Sequence, residues 1–376
     1  MFDHFFSLFS HDIGIDLGTA NTLVFVKGKG IVAREPSVIA LHKKTKKVVA
    51  FGTEAKKMVG KTPANIITIK PLKGGIISDF DATVVLLSYL LSDVHKVGTP
   101  VPVSFARPKV VVAIPSSVTE VERRAVWEAA LTAGARKAFL IEEPMAAAIG
   151  EGISIFKPTG SMVVDIGGGT TEIAVISLGG IVVSRSLRLG GDNMDQALGH
   201  YIRLRHGILL GDATIENLKI KIGSAYKKSS KLKFKSEKLT EKAKESEENV
   251  QIEVEGREKM AIVRGRDIET GLPKSLRITE IEVREALSPV ITRIIEEVAG
   301  VLEESPPELT NDILEHGILL TGGGSLLPGF DHLVVERTRM PVVHASDPLT
   351  TVAKGTGKVL EDQDLLNRVK VIGGLQ

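Results

Sequence analysis

Two segments of the chain repeat one pattern, and this repeat limits the fold more than any other feature of the sequence. Residues Ile13–Val32 read IGIDLGTANTLVFVKGKGIV, and residues Met162–Val182 read MVVDIGGGTTEIAVISLGGIV. Each segment passes from an apolar run through Asp, Gly and Thr to a second apolar run and a glycine turn, which predicts a β-hairpin. Two such hairpins predict two related domains that face each other. The alternative is a chance likeness between two glycine-rich hairpins.

Apolar runs and helical periods alternate along the rest of the chain. The predicted strands are Lys109–Ile114, Phe139–Ile141 and Gly317–Thr321. The predicted helices are Ala82–Val94, Thr119–Ala133, Pro144–Gly150, Met194–His206, Ala213–Ile222 and Ile281–Glu303. Strands that alternate with helices are typical of the α/β class, and a chain of 376 residues suits two domains rather than one.

The composition excludes several classes of site. The chain has a net charge of +2 and no cysteine. Without cysteine there is no disulfide framework, zinc-thiolate site or cysteine nucleophile, and a reducing cytoplasm fits. The nearly balanced charge indicates no nucleic acid partner. The sequence has no GxxxxGKS or GxxxxGKT motif, and no GxGxxG motif follows a strand, which disfavours the usual phosphate loop and a dinucleotide fold.

The two hairpin tips, Asp16–Thr22 and Asp165–Thr171, have the composition of a phosphate site. Glycine-rich turns let backbone N–H groups approach an anion closely. Asp16 and Asp165 would repel a phosphate unless a cation lay between them, and Mg²⁺ usually keeps its waters, so we expect both to hold Mg²⁺ through water. Either hairpin alone is more simply an ordinary turn with Asp as the turn former. Their common Asp position favours the phosphate site.

Two further motifs suit the nucleoside part of a nucleotide. Gly322–Ser325 directly follows a predicted strand, where glycines allow a flat ligand to approach. Glu216 and Lys219 are three residues apart on a predicted helix and share a face, so they can bind a ribose and a base edge. The alternative for this pair is an exposed ion pair that contributes little.

Glu143 is the candidate for chemistry at the terminal phosphate. It follows the predicted strand Phe139–Ile141, where a carboxylate can orient an attacking water. The alternative is that Glu142 and Glu143 only favour the amino end of a helix, with Pro144 in its first turn. Position alone does not decide between the two interpretations.

Together these motifs resemble the actin-like ATPase superfamily, and within it the MreB family of bacterial shape-determining filament proteins. The resemblance is carried by DIGIDLGTANTLVFVKGKGIV, EPSVIA, EAKKMVGKTP, LIEEPMAAAIG, MVVDIGGGTTEIAVISLGGIV, TGLPKSL, PPEL, GILLTGGGSLLPG and DPLTTVAKGTGKVLE. It implies an α/β actin-like ATPase fold: two related domains, each with a mixed sheet and flanking helices, with the nucleotide in the cleft between them. It also implies the cofactors ATP and Mg²⁺.

The resemblance implies a role for each matching position. The nucleotide-binding residues would be Thr19, Ala20, Asn21, Gly167, Gly168, Gly169, Thr170, Glu216, Asn217, Leu218, Lys219, Gly322, Gly323, Gly324 and Ser325. Asp16 and Asp165 would bind the metal, through water. Glu143 would position the attacking water, and Thr170 would help to orient it.

The resemblance also implies the domain limits. Residues 12–155 with 346–376 would form domain I, and residues 156–345 would form domain II. The Lys- and Glu-rich segment Lys227–Glu248 departs from the family as an insertion in domain II. Its few apolar residues favour a solvated excursion, and the alternative is a basic patch for anionic lipid or a partner.

Two segments have a pattern that suits a membrane surface. In residues 1–11 an apolar helical stripe is formed by Phe2, Phe5, Phe6 and Phe9. This segment is too short to span a bilayer and lacks the features of a signal peptide. Val103 and Phe105 lie in the loop Val101–Pro108, which resembles the family's second membrane-touching loop. The alternatives are a helix docked on its own protein and, for Phe105, packing in the core.

The resemblance implies a filament protein rather than an enzyme in the ordinary sense. It would polymerise with ATP into paired protofilaments, with slow ATP hydrolysis coupled to assembly. It would lie in the cytoplasm, peripheral at the inner face of the cell membrane, and would act with cell elongation and wall synthesis proteins to maintain rod shape. A small-molecule kinase and a chaperone-type ATPase on the same scaffold are the alternatives.

Overall fold

The computed structural model describes residues 10–96, 107–226, 250–255 and 258–371. Several of the predictions therefore lie outside the described residues. They concern Phe2, Phe5, Phe6, Phe9, Val103, Phe105 and the insertion 227–248. All other predicted site residues can be located in the fold.

The regular elements of the described residues are numbered here in chain order. The strands are β1 (Ile13–Leu17), β2 (Asn21–Val26), β3 (Gly30–Pro36), β4 (Ile39–His42), β5 (Val48–Phe51), β6 (Ile66–Ile69), β7 (Leu72–Lys73), β8 (Ile76–Ile77), β9 (Lys109–Ile114), β10 (Lys137–Glu142), β11 (Ser161–Ile166), β12 (Thr171–Ser177), β13 (Gly180–Leu187), β14 (Ile208–Leu209), β15 (Val250–Glu255), β16 (Glu258–Asp267), β17 (Pro273–Thr279), β18 (Ile318–Thr321) and β19 (Val342–His344). The helices are α1 (Gly52–Met58), α2 (Phe80–Lys96), α3 (Glu120–Thr132), α4 (Glu143–Glu151), α5 (Gly191–His206), α6 (Asp212–Ile222), α7 (Glu280–Glu304), α8 (Pro307–His316), α9 (Phe330–Thr338), α10 (Thr351–Glu361) and α11 (Gln363–Val369), with a 3₁₀ turn at Gly323–Leu326. Every predicted strand and helix within the described residues is present, with ends that differ by a few residues.

Two five-stranded sheets share one topology, which confirms the internal repeat. The first has the order β3-β2-β1-β9-β10 and the second β13-β12-β11-β18-β19. In each, the first three strands are antiparallel and the last two run parallel to the third. Both predicted hairpins are present as β1–β2 and β11–β12. The chance-likeness alternative is therefore wrong, because the likeness extends to whole mixed sheets.

Two smaller sheets extend the halves of the molecule. The strands β5-β4-β6 form one sheet, and α1 lies beside it. The strands β14-β16-β15 form the other, with β17 also paired to β16. Among the described residues, none of the helices has the length and apolar content to cross a bilayer.

Helices α4 and α10 pack against each other at glycines, and this contact fixes the start of α4. A Cβ atom on Gly355 would lie 1.8 Å from the carbonyl oxygen of Ala146. A Cβ atom on Gly150 would lie 2.0 Å from the carbonyl oxygen of Thr351. Both helices belong to one buried apolar cluster that includes side chains from β9 and β11, one strand from each large sheet. Glu143 is the first residue of α4 and is therefore held by a rigid contact.

Candidate functional site

A cavity of about 540 Å³ lies where the two hairpin tips meet. Most of the site residues predicted from the sequence line it. They are Asp16, Thr19, Ala20, Asn21, Glu143, Asp165, Gly167, Gly168, Gly169, Thr170, Glu216, Lys219, Gly322, Gly323 and Gly324. Residues from distant parts of the chain thus converge on one space, which is large enough for a small-molecule ligand.

Three predicted nucleotide-binding residues do not line the cavity. Leu218 is fully buried in the apolar core of the second half. Ser325 is buried, and its hydroxyl donates to the carbonyl oxygen of Gly322 at 2.7 Å, so it holds the glycine turn in place. Asn217 is half-buried on α6. One face of α6 presents Glu216 and Lys219 to the cavity, and Leu218 points to the opposite side because of the helical period.

The hairpin tips approach each other so closely that only glycine fits at their contact. A Cβ atom on Gly168 would lie 2.5 Å from the Cβ atom of Ala20. A Cβ atom on Gly169 would lie 2.4 Å from the hydroxyl oxygen of Thr19. Within the described residues, the amide groups of Gly168 and Gly169 have no protein acceptor, so they are available to an anion.

A third loop closes against the two tips. The amide of Gly75, between β7 and β8, donates to the hydroxyl of Thr19 at 2.9 Å. A Cβ atom on Gly75 would lie 2.6 Å from the methyl group of Thr170 and 2.9 Å from the ring of Pro115. With φ near +76°, this position also favours glycine on conformational grounds. The loop therefore joins both hairpins and the end of β9.

Carboxylates crowd one end of the cavity, and their pKa values are raised. Burial raises the pKa of Asp16 to about 7. Burial, together with the carboxylates of Asp16 and Glu172, raises the pKa of Asp165 to about 8. The pKa of Glu143 lies well above its usual range, first because of burial and then because of the nearby carboxylates. A divalent cation at this end would lower these pKa values and leave the groups ionised.

The donor set suits a magnesium ion held through water rather than by direct ligation. In the part of the chain that the structure describes, no three His, Asp or Glu side chains form a direct metal cluster. Asp16 and Asp165 are each the penultimate residue of the first strand of a hairpin, β1 and β11. Mg²⁺ often uses one or two carboxylates together with substrate phosphates and several waters. The residues present fit that mode of binding.

The position of Glu143 in the fold is compatible with both interpretations that its sequence position left open. It begins α4 directly after β10, with Pro144 in the first turn, as the helix-end interpretation requires. It also lines the cavity and is only 9% exposed. A buried carboxylate that faces a ligand space is a candidate for a functional role. The geometry therefore keeps it as a candidate for positioning water.

Glu216 and Lys219 have partners other than each other. The Nζ atom of Lys219 donates to the carbonyl oxygen of Gly191 at 2.8 Å and lies 2.9 Å from a carboxylate oxygen of Asp195. Glu216 pairs at 2.8 Å with Lys56, which lies on α1 in the first half. Both side chains are thus held at the cavity wall, and Glu216 connects the two halves across it.

The glycine turn after β18 packs directly on the second hairpin. Gly322 has a φ of +79°, and a Cβ atom there would lie 2.2 Å from a carboxylate oxygen of Asp165. A Cβ atom on Gly324 would lie 2.3 Å from the side chain of Ile166. The neighbouring wall is apolar and includes Leu327, Pro328 and Leu349. An apolar wall beside a glycine turn suits the flat face of a base.

Some cavity residues were missed by the sequence analysis. Gly191, Asp192 and Asp195 line the cavity at the start of α5. A glycine pair followed by acidic residues at a helix start was a usable signal for them. Arg34 and Lys56 also line the cavity, but nothing in their local sequence distinguishes them from other exposed cations.

Comparison with known proteins places these observations in a family context. A family model described as MreB/Mbl protein matches residues 10–254 and 236–368. The chain is 47% identical over 371 residues to the cell shape-determining protein MreB of Escherichia coli strain K12, with 97% of each covered. It is 42% identical over 364 residues to the cell shape-determining protein Mbl of Bacillus subtilis strain 168, covering 97% of this chain and 100% of the relative.

Solved structures show the same architecture. The crystal structure of MreB5 of Spiroplasma citri bound to ADP has a TM-score of 0.81 and 36% sequence identity, covering 95% of this chain and 98% of that one. The same protein bound to AMPPNP matches equally well. The MamK double helical filament, at 21% identity and a TM-score of 0.72, supports the fold alone. These likenesses confirm the actin-like fold that the sequence predicted.

Proposed function

Because the chain belongs to the MreB/Mbl family, we propose that it is an ATP-dependent, membrane-associated actin-like filament protein that maintains rod cell shape by organising cell wall synthesis. One observation carries the nucleotide part of this proposal: the two Asp-Gly-Thr hairpin tips meet around a single cavity. Relatives that match along nearly their whole length are named cell shape-determining proteins, which supports the cytoskeletal part.

ATP fits the cavity as its ligand. The free amides of Gly168 and Gly169 would donate to phosphate oxygens, with Thr19 and Asn21 as further donors from the first hairpin. Mg²⁺ held through water by Asp16 and Asp165 would neutralise phosphate charge. The MreB5 relative has been crystallised with ADP and with AMPPNP, which supports a nucleotide in the equivalent cleft of this chain.

At the nucleoside end, Glu216 and Lys219 would hold the ribose and the base edge. The glycine turn from Gly322 to Gly324 would lie against the base. Lys219 keeps its position through Gly191 and Asp195, so it would meet the ligand without first ordering its side chain. A preorganised contact of this kind loses less entropy on binding.

Hydrolysis would take place between the two halves of the molecule. Glu143 comes from the first half and Thr170 from the second, and both line the cavity. A water held by both side chains would be oriented toward the terminal phosphate only when the halves are closed. If hydrolysis is slow and follows closure, subunits that joined the filament earlier would hold ADP and newer ones ATP.

Filament assembly and membrane contact complete the proposal. We take the partners to be further copies of the chain in paired protofilaments, the inner membrane surface, and elongation and wall synthesis proteins, with the protein peripheral in the cytoplasm. One contact supports a shared membrane face: the hydroxyl of Ser10 donates to the carbonyl oxygen of Arg107 at 3.1 Å. Ser10 directly follows the Phe stripe, and Arg107 directly follows Phe105 and Ala106. Both predicted membrane segments therefore adjoin one point of the fold.

Polymer pelleting with parallel measurement of phosphate release tests the proposal. We expect the wild-type chain to pellet with ATP and to release phosphate slowly without any added sugar, whereas a kinase would need a sugar acceptor. Glu143→Ala should still pellet but release phosphate roughly 100-fold more slowly, as for loss of a general base. Glu142→Ala is the matched control, because Glu142 adjoins Glu143 but does not line the cavity. Normal hydrolysis by Glu143→Ala would remove the role proposed for Glu143.

A further inference from the structure

Glu172 is a buried carboxylate that the proposed nucleotide site does not use. It lies on β12, is 1% exposed and does not line the cavity. Its strand neighbours are Asp165 on β11 and Ser186 on β13. Burial of a carboxylate next to a second carboxylate costs free energy. We therefore expect its hydrogen bonds to have a role that an apolar side chain could not fill.

Three donors converge on this carboxylate, and two of them come from the other half of the molecule. The Oε2 atom of Glu172 accepts from the backbone amide of Ser116 at 3.0 Å and from its hydroxyl at 2.6 Å. The Oε1 atom accepts from the hydroxyl of Ser186. Ser116 follows β9 in the first sheet, whereas Glu172 and Ser186 belong to the second. The carboxylate therefore connects the two halves beside Asp165, which lines the cavity.

This bridge lies beside both residues proposed to hold the attacking water. Thr170 is two positions before Glu172, directly before β12 begins. A Cβ atom added to Gly75 would lie 2.6 Å from the methyl group of Thr170 and 2.9 Å from the ring of Pro115. Thr170 is therefore close to Pro115, the residue directly before Ser116. On the other side, the ends of β9 and β10 are neighbours, with Ile114 paired to Glu142. After burial, the Glu172 carboxylate is the charge that most raises the pKa of Glu143.

We propose that Glu172 is a positioning residue for ATP hydrolysis, whose hydrogen bonds to Ser116 hold the Thr170 hairpin in register with Glu143. This inference rests on the proposed function and deepens it. Glu172 does not touch the nucleotide, so it does not contribute to nucleotide affinity. Its loss lets the two water-holding groups drift relative to each other, which slows the chemical step while ATP still binds.

Two substitutions at Glu172 and one at Ser116 test the bridge in full-length protein. Glu172→Gln keeps the size but removes the charge, so the bonds that it accepts from the amide and the hydroxyl of Ser116 are weaker than those of a carboxylate. Glu172→Asp keeps the charge but withdraws it by one methylene group. Ser116→Ala removes one of the two cross-sheet donors and leaves the backbone amide in place. Ser305→Ala is the control for loss of a buried hydrogen bond, since its hydroxyl donates only to the carbonyl oxygen of Val301 at 2.6 Å.

The measurements are the dissociation constant for a fluorescent ATP analogue and phosphate release at saturating ATP and equal pelleted polymer. For both Glu172 variants we expect affinity within about threefold of wild type and phosphate release slowed roughly 10- to 100-fold, the signature of misplaced groups. Ser116→Ala should slow phosphate release severalfold. Adding it to Glu172→Gln should slow release by less than the product of the two single effects, because both substitutions act on the same contact. Ser305→Ala should release phosphate at the wild-type rate.

The outcomes separate this inference from the function on which it rests. If the wild-type chain binds no ATP analogue, the proposed function fails. If wild type binds and hydrolyses ATP but both Glu172 variants hydrolyse it at the wild-type rate, the positioning role is overturned. Loss of ATP affinity in these variants with an unchanged rate for bound ATP also overturns it. If a Glu172 variant does not fold, Ser116→Ala decides, and wild-type turnover in that variant refutes the bridge.

Discussion

Gly168 and Ala20 meet across the cleft, and a Cβ atom on Gly168 would lie 2.5 Å from the Cβ atom of Ala20 and 3.3 Å from its amide nitrogen. The two residues belong to hairpins of different sheets. The two hairpin tips can therefore meet only because Gly168 has no side chain. Because the neighbour is a rigid hairpin tip rather than the end of a flexible side chain, an added methyl group has no space into which to turn.

Gly168→Ala should weaken ATP binding by holding the hairpin tips apart. Overpacking of this kind costs about 1–3 kcal/mol, which we expect to appear as weaker nucleotide affinity in a titration with a fluorescent ATP analogue. Gly180→Ala is the matched control at the first residue of β13. At that position the nearest atom to an added Cβ is the carbonyl oxygen of Ser177 at 4.0 Å. Wild-type affinity in Gly168→Ala would mean that the tips need not touch.

Lys56→Ala should speed nucleotide release. Lys56 and Glu216 connect the two halves at the cavity wall at 2.8 Å, and both side chains are partly exposed, so the pair contributes about 0–1 kcal/mol. We therefore expect ADP to dissociate up to about fivefold faster in stopped-flow displacement, and more so at low salt. Lys57→Ala is the control, because Lys57 pairs at 2.8 Å with Glu54 of its own helix. Equal ADP dissociation rates in Lys56→Ala and Lys57→Ala would show that the Lys56–Glu216 pair does not help to hold the two halves around the nucleotide.

The hairpins and the glycine turn could be predicted from the sequence because their signals are local. Asp16 and Asp165 stand at the same place in two similar strings, and strand periodicity with glycine punctuation is readable in one dimension. The assignment of Leu218 to the site was less successful. The prediction assigned the whole run from Glu216 to Lys219 to the site. A helix directs only some residues of such a run toward one cavity, and Leu218 points away from it.

The contacts between the halves could not be predicted. Lys56 contacts Glu216, and Ser116 contacts Glu172, only because the two halves of the molecule close against each other. Each of these side chains is ordinary in its own segment, so propensity and pattern contain no signal for the pair. The pKa values of the buried carboxylates depend on the same closure and were likewise outside the reach of the sequence.

The free energy of unfolding should depend on pH through the His344–Asp331 pair. The Nε2 atom of His344 and the Oδ2 atom of Asp331 are 3.5 Å apart. Its hydrogen bond raises the pKa of His344 above 6.5 and lowers the pKa of Asp331 below 3.8. The His344 contribution to stability is therefore complete below pH 6.5 and is lost as pH rises through the raised pKa. The Asp331 contribution is present above pH 3.8 and is lost as pH falls through the lowered pKa.

The pair should thus stabilise the fold most in mildly acidic solution. In urea unfolding, His344→Gln should lose a few tenths of a kcal/mol at about pH 5.5 and less at about pH 8.5, since both groups are half-exposed. His316→Gln is the control, because its ring bonds the backbone carbonyl of Asp312 rather than a carboxylate. A loss in His344→Gln that is the same at both pH values would show that the ion pair does not form.

Deletion of Met1–Ser10 should weaken sedimentation with liposomes while ATP binding survives. Burial of four Phe side chains contributes several kcal/mol at ~25 cal/mol per Å² before ordering costs, and a filament multiplies the effect by presenting many anchors. Because the deletion also removes the bond from Ser10 to Arg107, a second variant keeps Ser10 and replaces with Ser the residues Phe2, Phe5, Phe6 and Phe9. Both variants should sediment less with anionic liposomes than wild type does at equal polymer mass. If the Ser variant sediments like wild type, the Phe stripe is not the anchor.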